Sequence, residues 1–294
     1  MPVTGPCFVI GYHAHTYDAF MANLWMHDEP TAGIITEEYF RGGLVTWALR
    51  NVGSVKTRKY QPQSTPVRQI LRLIKDNRMF VIMPEGERNW DGITRPTVAS
   101  TGKLFRRLGV PVHPFIVHNG YKAWPRWAHW PRRIQVTVEF KQPFIFEPGM
   151  TDEEVARRVD EAVLWTPDQD MPEYPATATN GFRPADGITK LIFRCPDCAD
   201  DQQLRTSRGR YLHCDSCGTS WKVGGDSYLT NIATGDSISS TAAYHKICAM
   251  PRKLRKWEQF GEAYLLARDL PVYFEEEFPA QKKLGRFDCL LRAD

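Results

Sequence analysis

Two closely spaced cysteine pairs constrain the fold of this 294-residue chain more than any other feature. Cys195 and Cys198 form the first pair, and Cys214 and Cys217 form the second after fifteen intervening residues. Each Cys-x2-Cys turn points two thiolates at one ion, and two such turns complete a tetrahedral shell of four sulfurs. That shell suits Zn²⁺. We therefore predict a zinc site with these four cysteines as its ligands.

The segment around the cysteine pairs resembles a zinc ribbon over residues 191–224. Gly218 follows the second pair and lets the backbone close round the metal. The stretch between the pairs predicts a hairpin with its turn at 207–209. His213 stands beside the second pair, but four cysteines already complete the shell and leave no open position, so we expect a structural site. Two redox dithiols are the competing interpretation, although nothing thioredoxin-like surrounds them.

The composition is that of a folded protein that needs no cross-links. Hydrophobic residues make up 42% and charged residues 24% of the chain, which is enough for a sizeable core. A net charge of +4 permits contact with phosphate but does not itself argue for nucleic acid. No apolar run is long enough to span a bilayer, and the first residues lack signal-peptide features. These features predict a cytoplasmic protein, with the inner face of the membrane as a peripheral location.

Apolar runs and helical patterns alternate through residues 1–165. Strands that alternate with helices indicate a layered α/β domain. The pattern predicts strands over 7–12, 78–84, 110–117 and 134–140, and helices over 18–26, 64–77, 100–109 and 151–165.

The composition changes where this α/β pattern ends. Residues 166–187 hold four prolines and almost no apolar periodicity, so we predict a linker. The zinc ribbon then occupies 188–224. Residues 225–294 form a C-terminal region of undefined fold, in which 251–269 has a helical pattern and 271–278 a strand pattern.

Two histidines and an aspartate follow the first predicted strand: His13, His15 and Asp18. They are compatible with a catalytic pair, a metal site or a buried structural pair. His15 and Asp18 are three residues apart and can meet on one helix face. His13 and Asp18 are five apart, so their pairing requires a turn before the helix begins, with Thr16 as its N-cap. The residues alone leave both pairings open.

A second polar cluster follows the strand predicted over 78–84. Charged residues at the carboxyl end of a buried strand commonly line a crevice in α/β folds. Gly86 permits close approach of a ligand to the backbone, and Arg88 offers a planar fork that suits phosphate. A solvated loop is the competing interpretation.

Four short blocks follow one another across residues 5–165. The residues are His13 and Asp18 in an H-x4-D block; Gly53 and Arg58 in a glycine and basic block; Glu85, Gly86 and Arg88 in an E-G-T-R-like block; and Val110, Pro111 and Pro114 in a V-P-x-x-P block. No single block is specific, but the four in this order are. Together they resemble the glycerophospholipid acyltransferase family, which includes the lysophosphatidate acyltransferases.

The resemblance implies a layered acyltransferase domain with a central, mostly parallel sheet flanked by helices, plus the small β zinc ribbon. It implies that His13 is the general base and that Asp18 holds and polarises it. A neutral imidazole can take the proton of an alcohol that attacks a thioester, and a carboxylate stabilises the resulting imidazolium. The substrate-binding residues that it implies are Lys56, Arg58, Glu85, Gly86, Arg88 and, on the acyl side, Pro111.

The implied reaction moves a fatty acyl group from an acyl thioester to a lipid hydroxyl. The donor is acyl-CoA or acyl-carrier protein, and the acceptor is a lysophospholipid, glycerol phosphate or a related lipid alcohol. The expected partners are this lipid, a membrane surface and, as an alternative donor, acyl-carrier protein, whereas nucleic acid is disfavoured. The competing hypothesis is a zinc-ribbon protein that binds nucleic acid or a protein partner and has a catalytically degenerate α/β domain.

The chain departs from the family pattern at three positions, and its second block is one residue short. Tyr12 stands where the first block has Asn, His15 where it has Ser, and Glu87 where the third block has Thr. A carboxylate at position 87 repels a phosphate unless it turns away. The resemblance therefore does not fix the identity of the acceptor. The tryptophans and arginines of residues 119–133 suit either a headgroup interface or an ordinary loop cap.

Overall fold

The chain forms two compact units in the computed structural model, Met1–Met250 and Pro251–Asp294. The helix predicted over 18–26 falls mostly outside the described residues. No helix within the described part of the chain is long and apolar enough to cross a bilayer. The described residues are 5–14, 17–18, 21, 31–58, 64–147, 149–170, 181–201, 203–250 and the strands of the second unit.

The first unit is built on a six-stranded sheet. Its strands in chain order are β1 Cys7–Gly11, β2 Ala32–Thr36, β3 Val55–Thr57, β4 Met79–Ile82, β5 Val112–His118 and β6 Thr137–Phe140. They lie in the order β3-β2-β4-β1-β5-β6, and all neighbours are parallel except β5 and β6, which are antiparallel. The predicted α/β class with a mostly parallel sheet is confirmed.

The α-helices among the described residues of this unit are α1 Gly43–Asn51, α2 Ser64–Lys75, α3 Ala99–Leu108, α4 Gly120–Ala123, α5 Asp152–Val163 and α6 Ser240–Ala249. Helices α2, α3 and α5 pack on one face of the sheet. Phe8 and Ile10 of β1 share a buried cluster with Ile70 of α2, Phe105 of α3 and Val155 of α5. Alternate residues of a strand point to opposite faces, so this cluster holds one face of β1.

The described residues of 188–250, which we call the zinc-ribbon part of the chain, pack on the other face. Cys7 and Val9, the alternate residues of β1, share a buried cluster with Leu212, Trp221 and Ile247. Parallel sheets are normally covered on both faces, and here residues beyond the predicted linker contribute the second layer. The α/β sheet and the ribbon therefore belong to one compact unit.

The zinc-ribbon part is itself a five-stranded antiparallel sheet. The predicted hairpin is confirmed, since the strands on either side of Arg208 and Gly209 pair and both of these turn residues have positive φ. The sheet continues past residue 224 and leads directly into α6. Its strands are β7 Leu204–Ser207, β8 Tyr211–Cys214, β9 Ser220–Val223, β10 Tyr228–Asn231 and β11 Ser237–Ser239.

The segment predicted as a linker, 166–187, is partly packed. Residues 171–180 lie outside the described residues, but Asp170 and Ala185 are fully buried. Both predicted boundaries therefore fall inside one compact unit, and the division of the chain into domains stays a prediction.

The second unit is an antiparallel sheet of β12 Gln259–Phe260, β13 Ala263–Glu275 and β14 Gln281–Arg292. The helix predicted over 251–269 is wrong at 259–260 and 263–269, which are strands. Pairing of β13 with β14 is a long-range interaction that overrides a local helical pattern. The strand predicted over 271–278 is confirmed in its described part.

Candidate functional site

His13 and Asp18 lie beyond the carboxyl end of β1, in the middle of the sheet. Nδ1 of His13 is 3.1 Å from Oδ2 of Asp18. The Asp18 side chain is 1% exposed, whereas that of His13 is 29% exposed. The carboxylate is thus sheltered from water while the imidazole is accessible. The structure brings together the pair that the H-x4-D block predicts, whereas His15 and Thr16 lie outside the described residues.

Main-chain hydrogen bonds hold His13 from both sides. Its N–H donates to Oε1 of Glu85 at 2.7 Å, and its carbonyl accepts from the N–H of Asn89 at 2.8 Å. These bonds join the loops that follow β1 and β4, which are adjacent in the sheet. Tyr12 adds an anchor, because its hydroxyl donates to the carbonyl of Val117 in β5 at 2.6 Å. The departure at position 12 therefore has a structural role.

The Glu85 carboxylate is occupied by donors from the protein itself. Besides His13, the side chain of Asn89 and the N–H of Arg95 donate to it, each at 2.7 Å. Burial raises the pKa of Glu85, and these three hydrogen bonds oppose the shift. Glu85 therefore shapes the loop, as the resemblance implies, and the structure does not present it to a substrate. Sequence reasoning missed Asn89 and Arg95, although their polarity just after the third block was a signal.

Arg88 is half-buried in the same loop. Burial lowers the pKa of its guanidinium and so does the nearby charge of Arg126, while Tyr39 and Asp18 oppose the shift. The departure at Glu87 is compensated, because its carboxylate accepts from Arg126 at 3.1 Å. Arg126 also donates to the carbonyl of Arg88. The carboxylate at position 87 is thus engaged by a cation.

Lys56 and Arg58 lie at the end of β3 and share one acidic partner. Oε2 of Glu37 is 3.3 Å from Nζ of Lys56 and 3.0 Å from Nε of Arg58. The hydrogen bond from Arg58 lowers the pKa of Glu37. Glu37 opens the helical turn Glu37–Tyr39, which follows β2. Glu37, Lys56 and Arg58 line an open cleft together with Thr65 and Gln69.

The other two predicted substrate residues have different places. Gly86 has a φ of +73°, which favours glycine, and a Cβ there would lie 3.2 Å from Val98. Pro111 precedes β5, and its carbonyl accepts from the N–H of Phe8 at 2.9 Å. That contact lies at the amino end of β1, whereas His13 follows the carboxyl end. The structure does not bring Pro111 to the site.

The tryptophan-rich segment 119–133, predicted as either a headgroup interface or a loop cap, has both buried and exposed side chains. Trp127 is fully buried and donates to the hydroxyl of Tyr121, while Trp130 is exposed. Arg132 is buried against the Trp127 ring, 4.8 Å from its centroid. It donates to Ser227 Oγ at 2.5 Å, beyond the ribbon's cysteines. This part of the segment fastens the α/β sheet to the ribbon and is not a headgroup surface.

The four cysteines form one cluster. All four Sγ atoms lie within 4.8 Å of one another. The Cys195–Cys217 and Cys198–Cys214 Sγ pairs are each 3.7 Å apart. A tetrahedral zinc ion with Zn–S bonds of about 2.3 Å requires sulfurs about 3.8 Å apart. The cluster therefore fits the predicted ion.

Comparison with known proteins finds matches to the part of the chain that contains the four sequence blocks. Residues 1–118 match the family model described as Acyltransferase. Two curated relatives, from Limnanthes alba and Limnanthes douglasii, are each named 1-acyl-sn-glycerol-3-phosphate acyltransferase and are each 23% identical over 171 residues. Each alignment covers 57% of this chain and 59% of the relative, so the chain spans about three fifths of their length.

A solved structure, the 1-acyl-sn-glycerophosphate (LPA) acyltransferase PlsC from Thermotoga maritima, is 22% identical with a TM-score of 0.48. That alignment covers 57% of this chain and 66% of the other. The predicted resemblance is confirmed as a resemblance: residues 1–118 of this chain are similar to the Acyltransferase family model, and the curated relatives that it resembles are named 1-acyl-sn-glycerol-3-phosphate acyltransferase.

Proposed function

We propose that this protein is an O-acyltransferase that moves a fatty acyl group from an acyl thioester to the hydroxyl of a lysophospholipid, glycerol phosphate or related lipid alcohol. The observation that carries the proposal is the accessible His13 imidazole, paired with buried Asp18 and held by the loop of the third block. The match to the acyltransferase model and to the curated relatives supports the same class.

In the proposed step, His13 acts as general base through Nε2. Its Nδ1 donates to Asp18, which fixes the tautomer that leaves Nε2 as an acceptor. Nε2 takes the proton as the acceptor oxygen attacks the thioester carbonyl. The tetrahedral oxyanion then collapses, the C–S bond breaks, and the thiolate takes the proton from the imidazolium. Neither a nucleophilic protein residue nor an acyl-enzyme is part of this sequence.

The acceptor's phosphate is proposed to bind beside this base. Arg88 is half-buried and lies close enough to Asp18 for that carboxylate to influence its pKa. Lys56 and Arg58 lie at the same edge of the sheet, paired with Glu37. A phosphate that binds there competes with the Glu37 carboxylate for both cations. We therefore assign Arg88 as the first phosphate contact and the Lys56–Arg58 pair as the second.

Thiol release with a panel of acceptors tests this proposal. Acyl-CoA and acyl-carrier protein are each offered with lysophosphatidate, glycerol 3-phosphate and a neutral lysolipid. Arg88→Ala should raise the KM for the phosphate-bearing acceptors about tenfold or more, because a charge-assisted contact is lost. Arg157→Ala is the matched control, since Arg157 forms an exposed pair with Glu161. Wild-type protein that releases no thiol with any acceptor contradicts the proposal.

The competing hypothesis makes the opposite prediction in the same experiment. A ribbon that binds nucleic acid beside a degenerate α/β domain gives salt-dependent binding to DNA or RNA without thiol release.

We also propose that Cys195, Cys198, Cys214 and Cys217 hold a structural zinc ion. A closed shell of four thiolates stabilises the fold and offers no position for a substrate. The purified protein should contain one zinc per chain, and Cys198→Ser should lose it and unfold at a lower denaturant concentration. Cys248→Ser is the control, because Cys248 is an exposed cysteine outside the cluster. Full zinc content in the Cys198 variant refutes the assignment.

A further inference from the structure

The loop that holds His13 is also bound by the last helix of the zinc-ribbon part. The hydroxyl of Thr241, in α6, donates to the carbonyl of Asp91 at 2.7 Å. Nε2 of His245, one turn later in α6, lies 3.1 Å from Oδ2 of Asp91. Asp91 is fully buried and Thr241 is 3% exposed, so neither group can exchange its partner for water at low cost.

A continuous set of hydrogen bonds runs from Asp91 to His13. Oδ2 of Asp91 accepts from the guanidinium of Arg95 at 2.7 Å. The main-chain N–H of Arg95 donates to Glu85 at 2.7 Å, and Glu85 accepts from the N–H of His13 at the same distance. The main chain between Asp91 and Glu85 contributes Asn89, which binds the His13 carbonyl. A shift of Asp91 would therefore disturb both main-chain hydrogen bonds of His13, the one to Glu85 and the one from Asn89.

The other end of α6 is tied to the cysteine cluster. Arg194 immediately precedes the ligand Cys195 and is itself buried. Its guanidinium donates to the carbonyls of Ile247 at 3.3 Å and Met250 at 3.1 Å, at the end of α6. The helix is therefore fixed at its carboxyl end beside the cluster and at its amino end on Asp91.

We propose that Asp91 is a positioning residue that transmits the placement of α6 to His13 through Arg95 and Glu85. The zinc-ribbon part then contributes to the reaction without touching the substrate: it holds the loop that holds the base. This inference rests on the proposed role of His13, but the hydrogen-bond path can be tested without any acyl transfer.

The test uses the full chain with Thr241→Val and Asp91→Asn. Thr241→Val keeps the side-chain shape and removes the donor, and Asp91→Asn keeps the shape and removes the charge. In both variants the amides of His13 and Arg95 should exchange with solvent about tenfold faster, and kcat should fall severalfold with KM little changed. Amide exchange followed by NMR measures the first effect and thiol release the second.

Two controls separate positioning from general destabilisation. Thr241→Ser keeps the donor and should behave as wild type. Thr230→Val removes a hydroxyl that bonds within the ribbon, to Ser237 Oγ at 2.8 Å, and should leave both amides unchanged. Wild-type exchange at His13 and Arg95 in Thr241→Val overturns the proposal, as does an equal rise in Thr230→Val. If Asp91→Asn fails to fold, the Thr241 variants still decide. Absence of thiol release from wild type refutes the acyltransferase proposal and leaves the exchange test intact.

Discussion

Two histidine–aspartate pairs stand at the carboxyl ends of neighbouring strands, and they differ in what surrounds them. Nδ1 of His13 is 3.1 Å from Asp18, after β1, and Nδ1 of His118 is 3.2 Å from Asp170, at the end of β5. The pair distances are nearly the same. The distance between histidine and carboxylate therefore does not distinguish a candidate base from a structural pair.

The two pairs differ in the contacts of the second histidine nitrogen, Nε2, and in the exposure of the histidine side chain. Nε2 of His118 lies 2.8 Å from Glu139, and the His118 side chain is 1% exposed. Among the described residues, no hydrogen bond to Nε2 of His13 occurs, and its side chain is 29% exposed. A general base needs both an available nitrogen and access for the proton donor. His13 meets both conditions, whereas His118 has both nitrogens occupied inside the core.

Removal of the His13 imidazole should have the largest effect. His13→Ala should lower kcat by about 10³-fold, because a positioned base contributes on the order of 10² to 10⁴. Its main-chain contacts are retained by alanine, but the buried Asp18 carboxylate loses its imidazole partner, so the unfolding free energy should also fall by about 2 kcal/mol. Thiol-release kinetics and denaturant unfolding measure the two effects. Full turnover in His13→Ala would show that His13 is not the base, and the two pairs would then not differ in function.

His118→Ala should lose stability without losing turnover. The variant leaves a buried carboxylate, Asp170, without one of its donors, which should cost about 2 kcal/mol of unfolding free energy. Asp170 keeps its bonds from the N–H of Asn119 and from Trp165 Nε1, so the fold should survive. kcat should stay within about twofold of wild type at a temperature where the variant is folded. A folded His118→Ala variant whose kcat is far below that of wild type would show that the His118 pair is not purely structural.

The sequence could predict the elements and residues whose signals are local. The apolar runs of β1 and β4 and the H-x4-D spacing lie in single short segments, and the structure has both strands and brings His13 to Asp18. The buried pair of His118 and Asp170 was not predicted. Its members are fifty-two residues apart, and Asp170 stands in a proline-containing segment that looked like a linker.

The role of Glu85 and the cover of the sheet's second face depend on long-range pairing, which a sequence pattern does not contain. Glu85 reaches His13, seventy-two residues away, because β4 lies beside β1. Leu212 and Trp221 lie in the segment predicted as a separate zinc ribbon, yet they pack in the cluster that also holds Val9 of β1. Apolar positions show that a surface is buried without showing what buries it.

The pH dependence of the stability that Glu85 contributes should be the smallest of these effects. It tests what holds His13 in place. Three donors surround this carboxylate, but burial raises its pKa above the ordinary value of 4.5. A raised folded-state pKa means that the folded protein binds the proton more tightly than the unfolded chain. The stability of wild type relative to Glu85→Gln should therefore fall as pH rises from about 4.5 through the folded-state pKa, and stay constant outside that window.

Denaturant unfolding of wild type and Glu85→Gln across the acidic range measures this difference. Glu161→Gln is the control, because Glu161 is exposed in α5 and its carboxylate pairs only with Arg157 among the interactions of the described residues. A difference that grows with rising pH would mean that the donors from His13, Asn89 and Arg95 outweigh burial and hold the folded-state pKa down. In that case the ionised carboxylate itself would stabilise the loop, and acidification alone should release His13 before the rest of the sheet unfolds.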